Sequence, residues 1–330
     1  MGSEMCIRDR LLSVSILCLC DSAAGQNAQA ALTHAKGVIA ILRARPCLYG
    51  LTDLARSIIY GTTELTFTMP CALGELSPFD EDRWRDLPPA TAMTVSPHTF
   101  ELRWISYRVL VRMPRLILAV RKLRFPDTPV TPEDISSTIA MANAVRQFEA
   151  KEPETKALHH VRVVKSKEPT SRAVVPYSFV YNNIEELAAC LLYWQSRLHV
   201  IEVCMAIHRV CPVFLNAQEI EHFAKERLRM TTNIIMSWEW AHARPQFGVS
   251  TVSPLLVVWG ALRTEKTFRG VPVAEIRAWV MERLPYVTGI WSSRLVAEEL
   301  DTACEVFAGG PLRGFMVDCY RGDGDRWYAA

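Results

Sequence analysis

The chain has 330 residues, half of them hydrophobic, so it can bury a large core and is excluded from the class of disordered tails. Its 37 lysines and arginines face 35 acidic residues, and a net charge of +2 excludes a global basic field that would condense on nucleic acid or anionic membranes. Only 15 glycines occur and helix-favouring residues are common. We therefore expect an all-α, irregular multi-helix fold arranged as two helical halves.

Residues 1–25 are separated from the rest of the sequence by their character. Arg8 and Arg10 precede a short apolar run, residues 11–20, and small residues follow, as in a secretory signal peptide. The opening residues 1–10 also resemble the translation of a sequencing adapter. We treat this segment as artefactual, truncated or signal-like and exclude it from the fold.

The N-terminal helical half is assigned to residues 26–150. The predicted helices cover residues 26–45, 52–67, 98–124 and 131–150, and a proline-rich irregular connection covers residues 69–97. Pro114 lies inside the third segment, which predicts either two helices or one kinked helix. Thr131 followed by Pro132 is typical of a helix start, because the hydroxyl caps the first turn and proline needs no hydrogen-bond acceptor there.

Residues 151–176 are predicted to form a basic, solvated linker and the boundary between the halves. Six lysines and arginines occur there with little periodicity. His159 and His160 have no acidic or cysteine neighbour in the sequence, so we interpret them as a solvated pair.

The C-terminal helical half is assigned to residues 177–318, with a flexible tail at 319–330. Apolar residues recur every three or four positions from Ile184, after Asn182 or Asn183, and predict one long amphipathic helix ending near Cys211. Further helices are predicted at residues 219–240, 255–262, 274–284 and 292–308. Gly309, with Gly310 and Pro311 after it, is expected to end the last helix. No stretch alternates long enough to predict a sheet.

Two groups of residues are candidates for binding, a set of histidines and cysteines on one helix and the tryptophans of the C-terminal half. His199, Cys204, His208 and Cys211 are of the types that bind zinc, but helical geometry turns His199 away from the other three, so no metal or cofactor is predicted. No catalytic motif is recognised, and no catalytic residue is assigned.

Tryptophans of the C-terminal half are the candidate lining of a ligand pocket. We assign Trp238 and Trp259 to this role, because tryptophan offers a large apolar area and one polar N–H. Trp194 lies in the apolar seam of the long helix and is predicted to be buried in the core.

Several short motifs, in order, resemble a known family. They are Ser77-Pro78-Phe79, Arg83-Trp84, Leu87-Pro88, Ile235-Met236-Ser237-Trp238, Ser253-Pro254-Leu255-Leu256, Trp259-Gly260-Ala261-Leu262 and Phe307-Ala308-Gly309-Gly310-Pro311-Leu312-Arg313-Gly314-Phe315. Their order from about residue 50 to residue 318 resembles the fungal-specific transcription factor domain, the C-terminal regulatory region of fungal zinc-cluster transcription factors.

The resemblance implies a nuclear regulatory domain that is not an enzyme. The family joins this helical region to an N-terminal cluster of six cysteines, which reads DNA, and no such cluster occurs in this sequence. This chain alone is therefore not expected to bind DNA specifically, and no membrane association is expected. A homodimer partner, transcriptional co-regulators and a small-molecule effector are the candidate partners. The alternative is a secreted or membrane-associated helical enzyme, suggested by the signal-like start.

Overall fold

The computed structural model describes residues 33–34, 36–37, 39–41, 53–89, 96–244, 252–287, 296–314, 317–318 and 321. The segment predicted as an artefactual or signal-like start, and all of the predicted tail except residue 321, lie outside these residues. The described part is mainly helical with two small two-stranded sheets, which confirms the predicted all-α multi-helix class. Within these ranges, no helix combines the length and apolarity needed to cross a bilayer.

The elements are numbered in chain order over the described residues. The helices are α1 (Asp53–Gly61), α2 (Thr63–Leu73), α3 (Asp82–Arg85), α4 (Pro97–Arg124), α5 (Pro132–Arg146), α6 (Lys151–His159), α7 (Pro169–Val174), α8 (Ile184–Val210), α9 (Ala217–His242), α10 (Val252–Ala261), α11 (Val273–Val287) and α12 (Ala297–Phe307). The strands are β1 (Arg162–Lys165), β2 (Tyr177–Val180), β3 (Thr267–Phe268) and β4 (Val271–Pro272).

The first predicted helices differ from the structure in their bounds. Of the helix predicted at residues 26–45, the described residues 33–34, 36–37 and 39–41 are helical. The helix predicted at residues 52–67 is two helices, because the chain turns at Thr62 and continues to Leu73. Gly74 ends α2 in the left-handed conformation, with φ of 75°, where a side chain would be strained.

Helix α4 is one continuous helix of 28 residues, which decides between the two predicted alternatives in favour of a single helix. Ser96 caps it by accepting a hydrogen bond from the backbone N–H of Thr99. Pro114 lies inside the helix and is buried. Because α4 packs extensively on α2, α5, α6 and α8, tertiary contacts offset the hydrogen bond that proline removes.

The predicted start of α5 is confirmed by its hydrogen bonds. The backbone N–H of Asp134 donates to the Thr131 hydroxyl, and the Asp134 carboxylate accepts from the backbone N–H of Thr131. This reciprocal pair is a capping box. The helix ends at Arg146, four residues before the predicted end.

Residues 151–176, predicted as a basic, solvated linker with little periodicity, form regular elements in the structure. They form α6, β1 and α7, and β1 pairs antiparallel with β2. Glu154 and Ser166 are buried in this segment. One cluster of buried apolar side chains draws residues from both sides of it, although the boundary between halves stays a prediction.

Helix α8 is the central element of the core. Asn183 caps it, accepting a hydrogen bond from the backbone N–H of Glu186, as one of the two predicted caps. The helix was predicted to be amphipathic, but its side chains are buried on nearly every side from Leu187 to Ile207. The reason is that α4, α9 and α10 all pack against it.

The end of α12 confirms the predicted glycine stop. Gly309 has a φ of 80°, and its N–H donates to the carbonyl oxygen of Val306. The N–H of Gly310 donates to the carbonyl oxygen of Glu305 at 2.7 Å. This pair of bonds is a Schellman motif, which satisfies the last carbonyl groups of the helix.

Candidate functional site

A small cavity lies where α8, α10 and α12 meet. It has a volume of about 20 Å³, which is room for about one water molecule. The lining side chains are a mixture of ionisable, thiol and apolar groups. They belong to His199, Glu202, Leu256, Val257, Arg263, Cys304, Phe307 and Ala308, together with Gly260.

His199 forms one wall of this cavity from the buried face of α8. Its ring packs against two aromatic rings that also contact each other, 4.7 Å from that of Phe67 and 5.4 Å from that of Phe307, measured between centroids. Burial lowers the pKa of His199 to about 3, so the imidazole is neutral at physiological pH. A neutral ring can donate one hydrogen bond and accept another.

Glu202 lies one helical turn after His199 on the same side of α8. Its Oε1 atom is buried and accepts no hydrogen bond, although Nε of Arg227 is 3.6 Å away. Burial raises the pKa of Glu202 above its ordinary value, and the charge of Arg227 acts in the opposite direction. Glu202 is therefore an acceptor left without a hydrogen bond at the cavity wall.

Cys304, on α12, lines the cavity at a point where α10 lies very close to α12. A Cβ atom on Gly260 would lie 3.0 Å from the Cys304 sulfur, so the two helices can approach only at a glycine. The thiol donates to the carbonyl oxygen of Leu256 at 3.4 Å. Burial raises the pKa of Cys304, which keeps the group a thiol at physiological pH.

Glu305, next to the cavity, forms ion pairs with two arginines. Its carboxylate accepts from Arg263 on one oxygen and from Arg124 on the other, and Arg124 also donates to the carbonyl oxygen of Ala308. Burial alone would raise the pKa of Glu305, but these hydrogen bonds and charges lower it overall. The ion pairs join α4, the end of α10 and α12 around one carboxylate.

The four residues considered as zinc ligands in the sequence lie in separate surroundings in the structure. His199 packs against aromatic rings, Cys204 is fully buried, and His208 and Cys211 lie near the end of α8. Among the described residues they are not brought together as a ligand group.

One other group has metal-ligand spacing in the described part of the chain. Ligand atoms of Glu149, His222 and Glu226 all lie within 4.8 Å of one another. The fully buried Arg197 already forms ion pairs with both glutamates. Its Nε lies 3.0 Å from Oε1 of Glu226, and its Nη2 lies 3.2 Å from Oε1 of Glu149. Because the guanidinium compensates both carboxylates, a divalent cation would meet a positive charge there. The prediction of no metal stays a prediction.

Trp238 borders a second, smaller cavity between α8, α9 and α10, of about 10 Å³. Its ring stacks on His242 with centroids 5.1 Å apart and meets Trp279 edge to face at 6.0 Å. The assigned residue therefore faces a cavity, but one too small for an organic ligand in this conformation.

Trp259 lies on α10 beside Gly260 but lines neither cavity. Its indole N–H donates to Oδ1 of Asp301 at 2.9 Å, and the guanidinium of Arg277 lies 3.8 Å from the ring centroid. Arg277 also pairs with Asp301. The structure places this tryptophan in a polar contact between α10, α11 and α12, and its assignment to a ligand pocket stays a prediction.

Trp194 is fully buried, which confirms its predicted place in the core. Its indole N–H donates to Oε1 of Glu154 at 2.6 Å, and Arg229 pairs with the same carboxylate. Glu154 belongs to the segment predicted as a solvated linker. Sequence reasoning missed this partner because its contacts lie 40 and 75 positions away.

Comparison of the chain with protein-family models, with curated proteins and with solved structures finds no match in any of the three.

Of the polar residues of the first cavity, the sequence analysis considered only His199, as a zinc ligand, and missed Glu202, Arg263 and Cys304. Glu202 follows His199 by three positions, and this spacing was the one local signal that both face the same side of a helix. Arg263 comes from the turn after α10 and Cys304 from α12, so no local pattern connects them to His199.

Proposed function

We propose that this chain is the regulatory domain of a fungal transcription factor-like protein, acts in the nucleus and performs no catalysis itself. The observation that carries the proposal is the meeting of separate motifs at one cavity. Gly260 belongs to one motif of the resemblance, and Phe307 and Ala308 belong to another. Nε of Arg121, on α4, donates to the carbonyl oxygen of Gly310 in the latter motif.

The ionisation of the cavity residues supports binding instead of catalysis. A histidine with a pKa of about 3 is too weak a base to accept a proton near neutral pH. A buried Cys304 thiol with a raised pKa is a poor nucleophile. The groups that remain useful are a neutral imidazole, a thiol and the unbonded oxygen of Glu202, which suit a small polar ligand.

An effector would bind by opening the cavity. At about 20 Å³ it is far smaller than the roughly 300–1,000 Å³ of ordinary ligand pockets, so α10 and α12 would have to move apart. A ligand that binds only the open arrangement shifts the population towards it. This coupling would give a regulatory domain two states, with Trp259 on α10, one of the helices that move, and Trp238 on the neighbouring α9. Co-regulators or a second copy would then distinguish these states.

A reporter assay tests the proposal. The chain is fused to a heterologous DNA-binding domain in a fungal host, and transcription is compared with that given by the DNA-binding domain alone. We expect the fusion to change transcription and to be recovered in nuclei. Unchanged transcription at equal, folded protein levels would contradict the proposal.

The same cells test the alternative of a secreted enzyme. A tagged chain recovered from the culture medium, with its first residues removed, would favour that alternative. Reading-frame sequence upstream of Met1 gives an independent check, since six closely spaced cysteines there support the transcription-factor proposal.

A further inference from the structure

The outer edge of strand β1 is open in the described part of the structure. β2 is the one described element against which β1 packs closely. Val163 is 58% exposed at the centre of β1, and Tyr177, opposite Lys165 on β2, is 48% exposed. The hairpin therefore presents an edge and two apolar side chains.

The pairing register shows which backbone groups face this edge. Lys165 lies opposite Tyr177, so the next residues, Ser166 and Pro176, are also opposite, and the Ser166 N–H donates to the Pro176 carbonyl oxygen. Hydrogen-bonded and non-hydrogen-bonded pairs alternate along an antiparallel ladder. The N–H and C=O groups of Val163 and Lys165 consequently point away from β2, and no described residue bonds to them.

The side chains around the same edge carry a net positive charge. Arg162, Lys165 and Lys167 are exposed, and none forms an ion pair with a described residue. The nearby carboxylate of Glu168 is already paired with Arg283. The Glu239 carboxylate accepts from the backbone N–H groups of residues 167 and 168 and contributes one negative charge against these three cations, so the net charge stays positive.

The edge is held rigidly by contacts with α9 and α7. Glu239 of α9 binds the chain directly after β1, and the guanidinium of Arg172 donates twice to the Ser166 carbonyl oxygen, at 2.9 and 2.7 Å. A strand fixed in this way loses little conformational entropy when another strand pairs with it.

We propose that β1 is a docking edge for an extended, acidic segment of a partner protein, which adds to the hairpin as a third strand. The free N–H and C=O groups alternate at strand spacing and match a peptide backbone, which supplies both acceptors and donors. A phosphate backbone supplies acceptors and would leave the carbonyl groups unmatched. A second copy of β1 would bring like charges together, so self-pairing is disfavoured. The inference does not depend on the proposed function.

The test measures binding of a fluorescent synthetic peptide that alternates Asp or Glu with Val or Thr, by anisotropy on the full chain. A second peptide of the same sequence carries N-methyl groups on alternate backbone nitrogens. We expect the methylated peptide and Val163→Pro each to bind at least about ten-fold more weakly, because proline at residue 163 removes only an outward N–H and blocks the edge.

Charge reversal provides the matched pair of variants. Lys165→Glu is expected to weaken binding about ten-fold at low salt, and the difference shrinks as salt increases. Lys225→Glu makes the same change on an exposed site of α9, about 20 Å along the helix from Glu239, and should leave binding unchanged.

If Val163→Pro does not fold, amide hydrogen exchange of the wild-type chain tests the same edge without a substitution. The amides of Val163 and Lys165 should become protected when the acidic peptide is added. Equal binding of the methylated peptide, unprotected amides, or binding of duplex DNA at this edge without binding of the peptide would each overturn the proposal.

Discussion

Trp194 contributes both apolar volume and a hydrogen bond to the centre of the core. Its ring is fully buried on α8, and its N–H is satisfied by Glu154, which is itself 3% exposed. The carboxylate is also paired with Arg229, so removing the indole leaves Glu154 one partner. The two functions of the side chain can be separated by substitution.

We predict that Trp194→Ala lowers the free energy of unfolding by about 3–5 kcal/mol, because it leaves a large cavity. Trp194→Phe keeps most of the apolar contact and loses only the N–H, so its cost should be about 1–3 kcal/mol. Urea denaturation of both variants checks the order. Unchanged stability of the alanine variant would contradict the assigned buried face of α8.

His199 should make stability depend on pH in acid. Its pKa is lowered to about 3 in the folded chain, whereas the unfolded chain takes up the proton near pH 6.5. Between these values the unfolded state binds more protons, so stability falls by about 1.4 kcal/mol per unit as pH falls. His199→Phe, which keeps an aromatic ring beside Phe67, should remove this dependence in denaturation measured from pH 7 to 4.

Glu64 makes stability depend on pH in the opposite direction, so its contribution must be distinguished from that of His199. Burial raises the pKa of Glu64 to about 7, so its contribution to stability is greatest below about pH 4.5 and is lost as pH rises towards 7. The difference between wild type and His199→Phe cancels this contribution. An identical pH profile for the two proteins would mean that folding does not lower the pKa of His199.

Three helix ends, at Thr131, Asn183 and Gly309, were predicted correctly because their signals are local. Thr131, Asn183 and Gly309 lie within a few residues of the groups they cap, so the sequence alone contains the whole interaction. The hairpin of β1 and β2 was missed because strands of four residues carry too little alternation to recognise. The basic residues of this segment were interpreted as those of a solvated linker, whereas in the structure they lie along an exposed strand edge.

The end of α12 depends on glycine for both conformation and space. Gly309 has positive φ, and an added Cβ would lie 2.7 Å from Cγ1 of Val120. We predict that Gly309→Ala costs about 1–3 kcal/mol in thermal or urea unfolding. Gly61→Ala is the control, since nothing lies within 4 Å of its added Cβ, and it should be neutral or slightly stabilising. Equal effects of the two substitutions would contradict the account of the helix end.

Across the whole molecule, the sequence predicted the fold class but not the cavity. Hydrophobic periodicity over long segments is enough to predict helices, and the core follows from their apolar faces. The cavity joins His199 to Arg263 and Cys304, which lie about 60 and 100 positions further along the chain. Which faces of α8, α10 and α12 meet is decided by tertiary packing, for which a single sequence has no local signal.

The balanced charge of the chain leads to a prediction about DNA. With a net charge of +2, binding to duplex should be weak, independent of sequence and reduced steeply by salt. Competition between specific and random duplexes at two salt concentrations measures this. A sequence-specific dissociation constant tighter than about 10⁻⁸ M at physiological salt would contradict it.

The most direct test of the account is transcription from the fusion reporter when the cavity between α8, α10 and α12 is filled. Cys304→Val adds volume there, and Cys211→Val makes the same change near the end of α8, away from the cavity. We predict that Cys304→Val changes the regulated transcription severalfold at equal levels of folded protein, and that Cys211→Val does not. Equal transcription from wild type and a folded Cys304→Val fusion would contradict a regulatory cavity.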